Sequence, residues 1–188
     1  MADVVALVER CRRGDDLAWE ALVRSCQSRV YSVALHYLRD REEAKDIAQD
    51  VFVRVYRNLD SFENREENFL PWLLSLTRNA CIDRLRRMKV RPAVPAVPVD
   101  EGPEIADDRP TPEQAAIAAR EGRLVRRAIA ELNDDHREMI VLHEIQGLEL
   151  RQISELLALP IGTVKSRSMR ARLALARTVL ALDPSYGA

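Results

Sequence analysis

Aromatic side chains are scarce in this sequence, at 5% of 188 residues, and so are glycine and cysteine. The six glycines, at 14, 102, 122, 147, 162 and 187, form no G-x-G-x-x-G and no phosphate-cradling loop, so the common nucleotide-binding fingerprints are excluded. Three cysteines, Cys11, Cys26 and Cys81, are odd in number and lack C-x-x-C spacing, which indicates neither a disulfide framework nor a zinc knuckle. They read as reduced thiols of a cytosolic protein. His36, His136 and His143 are scattered, with no H-E-x-x-H and no cysteine at ligand spacing. No metal, cofactor or catalytic group is therefore expected, and no enzyme. The start, "MADVVALVERCRRGDD", lacks the uncharged apolar stretch of a signal peptide, and no run of about 18 apolar residues occurs anywhere. The expectation is a cytoplasmic chain without membrane insertion. An excess of charge of either sign is also lacking: 29 bases against 30 acids leave a net of -1. That is low for a protein that must hold DNA unaided, because phosphate contacts supply most non-specific affinity.

Proline and charge are present, but unevenly. Six of the nine prolines fall at 92, 95, 98, 103, 110 and 112. The same stretch sets five acids (Asp100, Glu101, Glu104, Asp107, Asp108) against Arg109, a net of -4. Such a segment neither propagates a helix nor buries much apolar surface, so residues 92–112 read as an extended acidic linker between two domains, 1–91 and 113–183.

Before the linker, apolar residues recur at helical spacing. From Asp15 or Asp16 as N-cap, Leu17, Ala21, Leu22, Cys26, Val30, Val33, Ala34 and Tyr37 form one stripe. Asp40 with Glu43 resembles a capping box ahead of Ala44, Ile47, Ala48, Val51, Phe52, Val55 and Leu59. A third helix over about 68–89 opens with Asn68 and Pro71 and turns Trp72, Leu73, Leu76, Ala80 and Leu85 inward. With a short helix over 3–13 ending at Gly14, this predicts a four-helix domain. No alternating strand pattern competes, so the fold class is all-α.

After the linker, helices are predicted over about 112–131, 134–146, 149–158 and 160–181. "ALPIG" interrupts the last two for only a few residues, and a short helix, a tight turn and an amphipathic helix are the parts of a helix-turn-helix. Ala158 occupies the position where such turns usually carry glycine; a left-handed backbone there costs roughly 1 kcal/mol. The final helix, "PIGTVKSRSMRARLALAR", has five bases and no acid. Val164, Ala171 and Leu175 point to the core, with Ser168 on the same face, while Lys165, Ser166, Met169 and Arg170 lie together opposite. That outward face suits a major groove. Asp15–Asp16 and Asp134–Asp135 sit where helices begin, and capping accounts for both pairs.

Three segments together, "RRGDDLAWEALVRSCQSRVYSVALHYLRDREEAKDIAQDVFVRVYRNL", "NFLPWLLSLTRNACIDRLRR" and "LNDDHREMIVLHEIQGLELRQISELLALPIGTVKSRSMRAR", resemble the bacterial sigma factors of the extracytoplasmic-function (ECF) group. These are the short members of the sigma-70 family, with only sigma regions 2 and 4. The resemblance covers most of residues 12–172 in the family's order. It implies a dissociable subunit of core RNA polymerase that directs promoter-specific initiation, usually under an anti-sigma factor. It implies that Asp46, Gln49 and Asp50 meet the clamp helices of the largest polymerase subunit, and that the region 4 domain meets the flap of the second-largest. The basic stretch 78–91, six bases against Asp83, together with the loop "DSFENREEN", is implied to take the downstream promoter element and an unstacked base. Phe62, Asn64, Asn79, Asp83, Arg84 and Arg87 are the residues concerned. For the upstream element they are Thr163, Lys165, Ser166, Arg167, Met169, Arg170 and Arg172, with Arg167 and Arg172 assigned to phosphates. In the family the acidic linker threads the polymerase cleft where RNA runs; here either that role or a plain tether fits it.

Two other functions share these parts. A stand-alone helix-turn-helix regulator would bind a palindromic site without polymerase, but leaves the linker and the second basic helix without a task. A sigma-like decoy occupying an anti-sigma factor would have no need of two cationic faces.

Overall fold

The computed structural model describes residues 4–59, 62, 69–88 and 112–187, with side chains left aside at 112–119 and 187. Helix α1, Val4–Arg12, buries Leu7 and Val8 and stops at Gly14, whose φ of +80° suits a residue without Cβ. Asp15 then caps α2, Asp16–Leu38, by accepting a hydrogen bond from the Ala18 N–H at 3.0 Å. The Arg10 guanidinium closes on the same carboxylate at 2.7 Å. The Ala18 bond first, and Arg10 second, hold the Asp15 carboxyl below its usual range.

The buried stripe of α2 is Ala18, Leu22, Cys26, Val30, Val33, Ala34 and Leu38. Leu17, expected on that stripe, is 74% exposed instead. With Asp15 fixed as the cap, the inward direction of the first turn falls on Ala18. Arg39 ends α2 in the left-handed region, φ 54°, its N–H bonded to Leu35 O at 2.9 Å. Asp40 caps α3, Arg41–Asn58, through the N–H groups of Glu42 and Glu43 at 2.9 and 3.0 Å. The expected return bond from Glu43 is replaced by another partner, Arg84.

Helix α4, Phe69–Met88, buries Phe69, Leu73, Leu74, Thr77, Ala80 and Cys81. The Thr77 hydroxyl donates to Leu73 O at 2.9 Å, so this buried donor is satisfied. Burial pushes the Cys81 thiol up to about 12. Each fully buried leucine here, Leu22 and Leu73 among them, contributes on the order of 1.5–3 kcal/mol. Phe62 is 8% exposed and packs against Phe69 and Trp72 at centroid distances of 5.7 and 4.7 Å. Asn64, Asn68 and the acidic linker lie outside the described residues.

The chain divides into two units, Met1–Val97 and Pro98–Ala188. In the second, α5 is Pro112–Glu131, α6 Asp134–Met139, α7 Leu150–Leu157 and α8 Ile161–Leu182, followed by a 3-10 turn at Pro184–Gly187. Asn133 caps α6 through the His136 N–H at 2.8 Å, and Asp134 and Asp135 occupy the first turn, where the helix dipole favours them. The helix expected over 134–146 changes winding midway. Ile140–Ile145 is π-helical, with Gln146 N–H bonded to Val141 O at 2.9 Å. Four consecutive residues, Met139 to Leu142, are all buried, so this segment has core on more than one side. Arg137 is buried beneath them. It donates to the carbonyls of Ile129 at 2.9 Å, Ala130 at 2.7 Å and Leu132, and to Asp134 at 2.9 Å. The end of α5 is thereby tied to α6. Among the described residues there is no strand, and no helix is long and apolar enough to cross a membrane.

Candidate nucleic-acid interface

The interface is built on the α7–α8 corner. Glu149 N–H donates to Gln152 Oε1 at 2.9 Å and opens α7, and Ile153 is its fully buried contact. Ala158 then adopts φ 52°, ψ 44°, the left-handed conformation expected from its position. Leu159 N–H bonds to Ser154 O at 3.0 Å across that residue, so the last carbonyls of α7 are satisfied in spite of the missing glycine. Pro160 precedes α8 with φ -56°, and its carbonyl accepts from Thr163 and Val164.

Val164, Ser168, Ala171 and Val179 form the buried edge of α8, and Leu175 is half-buried between them. This fixes the direction of the opposite face. Lys165, Met169, Arg170 and Arg172 are exposed, with Met169 at 62%. Lys165 makes no hydrogen bond or ion pair among the described residues. Ser166 is half-buried, its hydroxyl donating to Thr163 O at 2.9 Å and accepting from Arg170 at 3.4 Å. Arg167 and Arg172 differ from this pair of bases. Arg167 approaches Asp135 at 3.6 Å, and Arg172 Nε donates to Glu144 Oε1 at 2.6 Å. Neither acid was found by sequence reasoning, since 28 residues separate Glu144 from Arg172 and nothing local links them.

The other basic helix is arranged differently. Asn79 and Arg87 are exposed on α4 and Asp83 is half-buried, pairing with Arg86 at 3.6 Å. Positions 79, 83, 86 and 87 share one face by helical spacing. Arg84, expected at DNA, is paired within the protein. Its guanidinium makes a two-point bond to Glu43, Nε–Oε2 at 2.5 Å and Nη2–Oε1 at 2.8 Å, across the α3–α4 contact. The Glu43 bond first, with Asp46 and Asp50 adding attraction, raises the Arg84 pKa further. Those last two carboxylates belong to the exposed edge Asp46, Gln49, Asp50 of α3. Arg84 thus faces that acidic edge and is engaged by protein.

Fold and surface define a two-unit, all-helical protein with a helix-turn-helix in its second unit and a cationic helix in each. Residues 22–91 match the family model of sigma-70 region 2, and residues 122–175 that of sigma-70 region 4. The chain is 36% identical over 174 residues to the ECF RNA polymerase sigma factor SigW of Bacillus subtilis, covering 89% of this chain and 92% of that one. It is 32% identical over 174 residues to the RNA polymerase sigma-H factor of Pseudomonas aeruginosa, covering 90% of each. Among solved structures it is similar to the sigma factor RpoE of Bartonella quintana in complex with the anti-sigma factor NepR. There the TM-score is 0.66 and the identity 23%, over 87% of this chain and 97% of that one. It is also similar to CnrH in complex with the cytosolic domain of CnrY, with a TM-score of 0.62 and 24% identity, over 97% and 99% of the two chains. The chain belongs to the ECF sigma factors of the sigma-70 family. It is a sigma factor acting in transcription initiation, from a family that is not one of enzymes, and its two sigma domains imply RNA polymerase and promoter DNA as partners. A stand-alone helix-turn-helix regulator is thereby set aside.

Proposed function

We propose a division of labour among three surfaces. The edge Asp46, Gln49, Asp50 docks on the clamp helices of the largest polymerase subunit, offering carboxylates and an amide to arginines. The α4 face of Asn79, Asp83 and Arg87 takes the downstream promoter element, where an unstacked base must be held by stacking and hydrogen bonds that offset its few kcal/mol of unstacking. The outward face of α8 reads the upstream element: Lys165 and Arg170 pair with guanine edges or phosphates, Ser166 and Thr163 with either, and Met169 with a thymine methyl. Residues 1–91 and 113–183 are the two working domains and 92–112 their tether, with the flap of the second-largest subunit as the partner of the second.

The observation that carries this reading is the exposed Lys165, without a partner among the described residues, beside Met169 and Arg170 on a helix whose other edge is locked by Val164 and Ala171. Control by an anti-sigma factor belongs to the same proposal, supported by the structural likeness to RpoE solved with NepR. With a net charge of -1, the free chain binds DNA weakly, and specificity arises when polymerase holds both domains at promoter spacing.

The test is binding of the purified chain to core RNA polymerase, followed by run-off transcription from a promoter library. Stoichiometric binding, with initiation from a subset of fragments that Lys165→Ala abolishes while polymerase binding persists, is expected. Equal loss of both activities in that variant would overturn the division of labour.

A further inference from the structure

The Arg172–Glu144 pair is placed where a structural ion pair serves little purpose. Arg172 lies seven residues after Lys165 and three after Met169, on the same outward stripe of α8. Its side chain is 56% exposed and that of Glu144 39%. An ion pair so open to water adds little to stability. The hold is also one-sided: Nε alone reaches Glu144 Oε1, at 2.6 Å, and the two Nη groups make no bond among the described residues. Besides Arg172, the carboxylate has the His143 ring nearby, with Nε2 at 4.0 Å, while Nδ1 of that ring is engaged with Leu148 O at 2.7 Å. Glu144 lies within the π-helical segment Ile140–Ile145, which follows on from a run of buried residues.

We infer that Glu144 is an internal competitor for DNA phosphate, holding Arg172 in reserve and lowering the sequence-independent affinity of the free chain. A phosphate diester presents two oxygens to the guanidinium fork where the carboxylate engages one nitrogen, so the exchange favours DNA when the backbone arrives in register. Off the promoter, the carboxylate both occupies the arginine and repels the polyanion. The inference rests on the reading of α8 as the DNA-facing helix and adds to it a positioning residue outside the helix-turn-helix.

The experiment uses the full-length chain and a fluorescein-labelled mixed-sequence duplex, titrated by anisotropy at low ionic strength where backbone contacts dominate. Glu144→Gln keeps shape and hydrogen-bonding capacity and removes the charge. It is expected to bind the duplex about two- to fivefold more tightly with Tm unchanged. In an Arg172→Ala background the same substitution is expected to lose most of that gain, because the arginine it releases is gone. Unchanged or weaker binding by Glu144→Gln would overturn the competition, and so would an equal gain in both backgrounds, since the acid would then act on DNA directly. Lys165→Ala and Arg170→Ala, measured on the same duplex, separate the two ideas. If these weaken binding and Glu144→Gln does not strengthen it, only the competition falls; if all three leave binding unchanged, the assignment of α8 to DNA falls with it.

Discussion

Helices α4 and α8 each carry a cluster of positive charge, and the fold treats the two clusters differently. Helix α4 buries six side chains along its length and packs against both α2 and α3. Its Arg84 is consequently drawn into a two-point bond with Glu43, and Arg86 has Asp83 within reach. Helix α8, two residues longer, buries four and leaves one complete face to solvent. Among the described residues Lys165 has no partner and Arg170 bonds a serine hydroxyl alone, while the acids that do approach come from the flank, at Asp135 and Glu144. Charge on an embedded helix becomes part of the scaffold, because desolvation near a core rewards pairing. Charge on a one-sided helix stays available to a ligand.

The comparison is most strongly tested through the core that embeds α4. Leu73→Ala, at a site with no exposure, is expected to cost about 2–5 kcal/mol, read as a lower urea midpoint of the region 2 transition. Next in size, Arg170→Ala is expected to cost about 1–3 kcal/mol of binding to an upstream-element duplex without lowering Tm. If Arg170→Ala lowered Tm as much as Arg84→Ala did, the contrast between the helices would be lost. Arg84→Ala is expected to lower stability by about 1 kcal/mol or less, given its partial exposure, and a charge-conserving Arg84→Lys to restore only part because it cannot make the two-point bond. Ala158→Gly relieves a left-handed alanine and is expected to raise the stability of the region 4 unit by about 0.5–1 kcal/mol, with upstream-element binding unchanged.

The smallest effect is acid titration, which touches one carboxylate in each unit. Asp15 is held below its ordinary range by the Ala18 N–H and then Arg10, and Asp183 by the Ser185 hydroxyl and N–H, with Arg120 contributing less. Both charged forms are favoured by the folded state. Their contribution is therefore complete above about pH 4 and is lost as the pH falls through the lower folded-state values. Asp15→Asn and Asp183→Asn are each expected to flatten the acid limb of stability, measured by circular dichroism; an unaltered limb in both would show that these caps carry no proton linkage.

Much of the local structure was legible because its causes lie within four residues. Asp15 and Asp40 announced helix starts, the stripe from Leu22 to Ala34 gave the core face of α2, and "LALPIG" located the turn and the left-handed Ala158. The face of α8 was equally plain, since Val164 and Ala171 fix what lies opposite. Leu17 was misplaced by a single residue of phase, which only the choice of Asp15 as cap decided. The helix expected over 134–146 concealed a π-turn, because a run of apolar residues does not show how tightly it will be wound.

The sequence by itself determined an all-α chain, its helix starts and the polarity of its last long helix, since these follow from caps, period and net charge along one segment. Tertiary structure alone decided which charges are engaged. Arg84 with Glu43, 41 residues apart, Arg172 with Glu144, 28 apart, and Phe62 against Trp72 all depend on which helix faces are brought together by burial of the core. That choice is made by packing, and no local spacing encodes it.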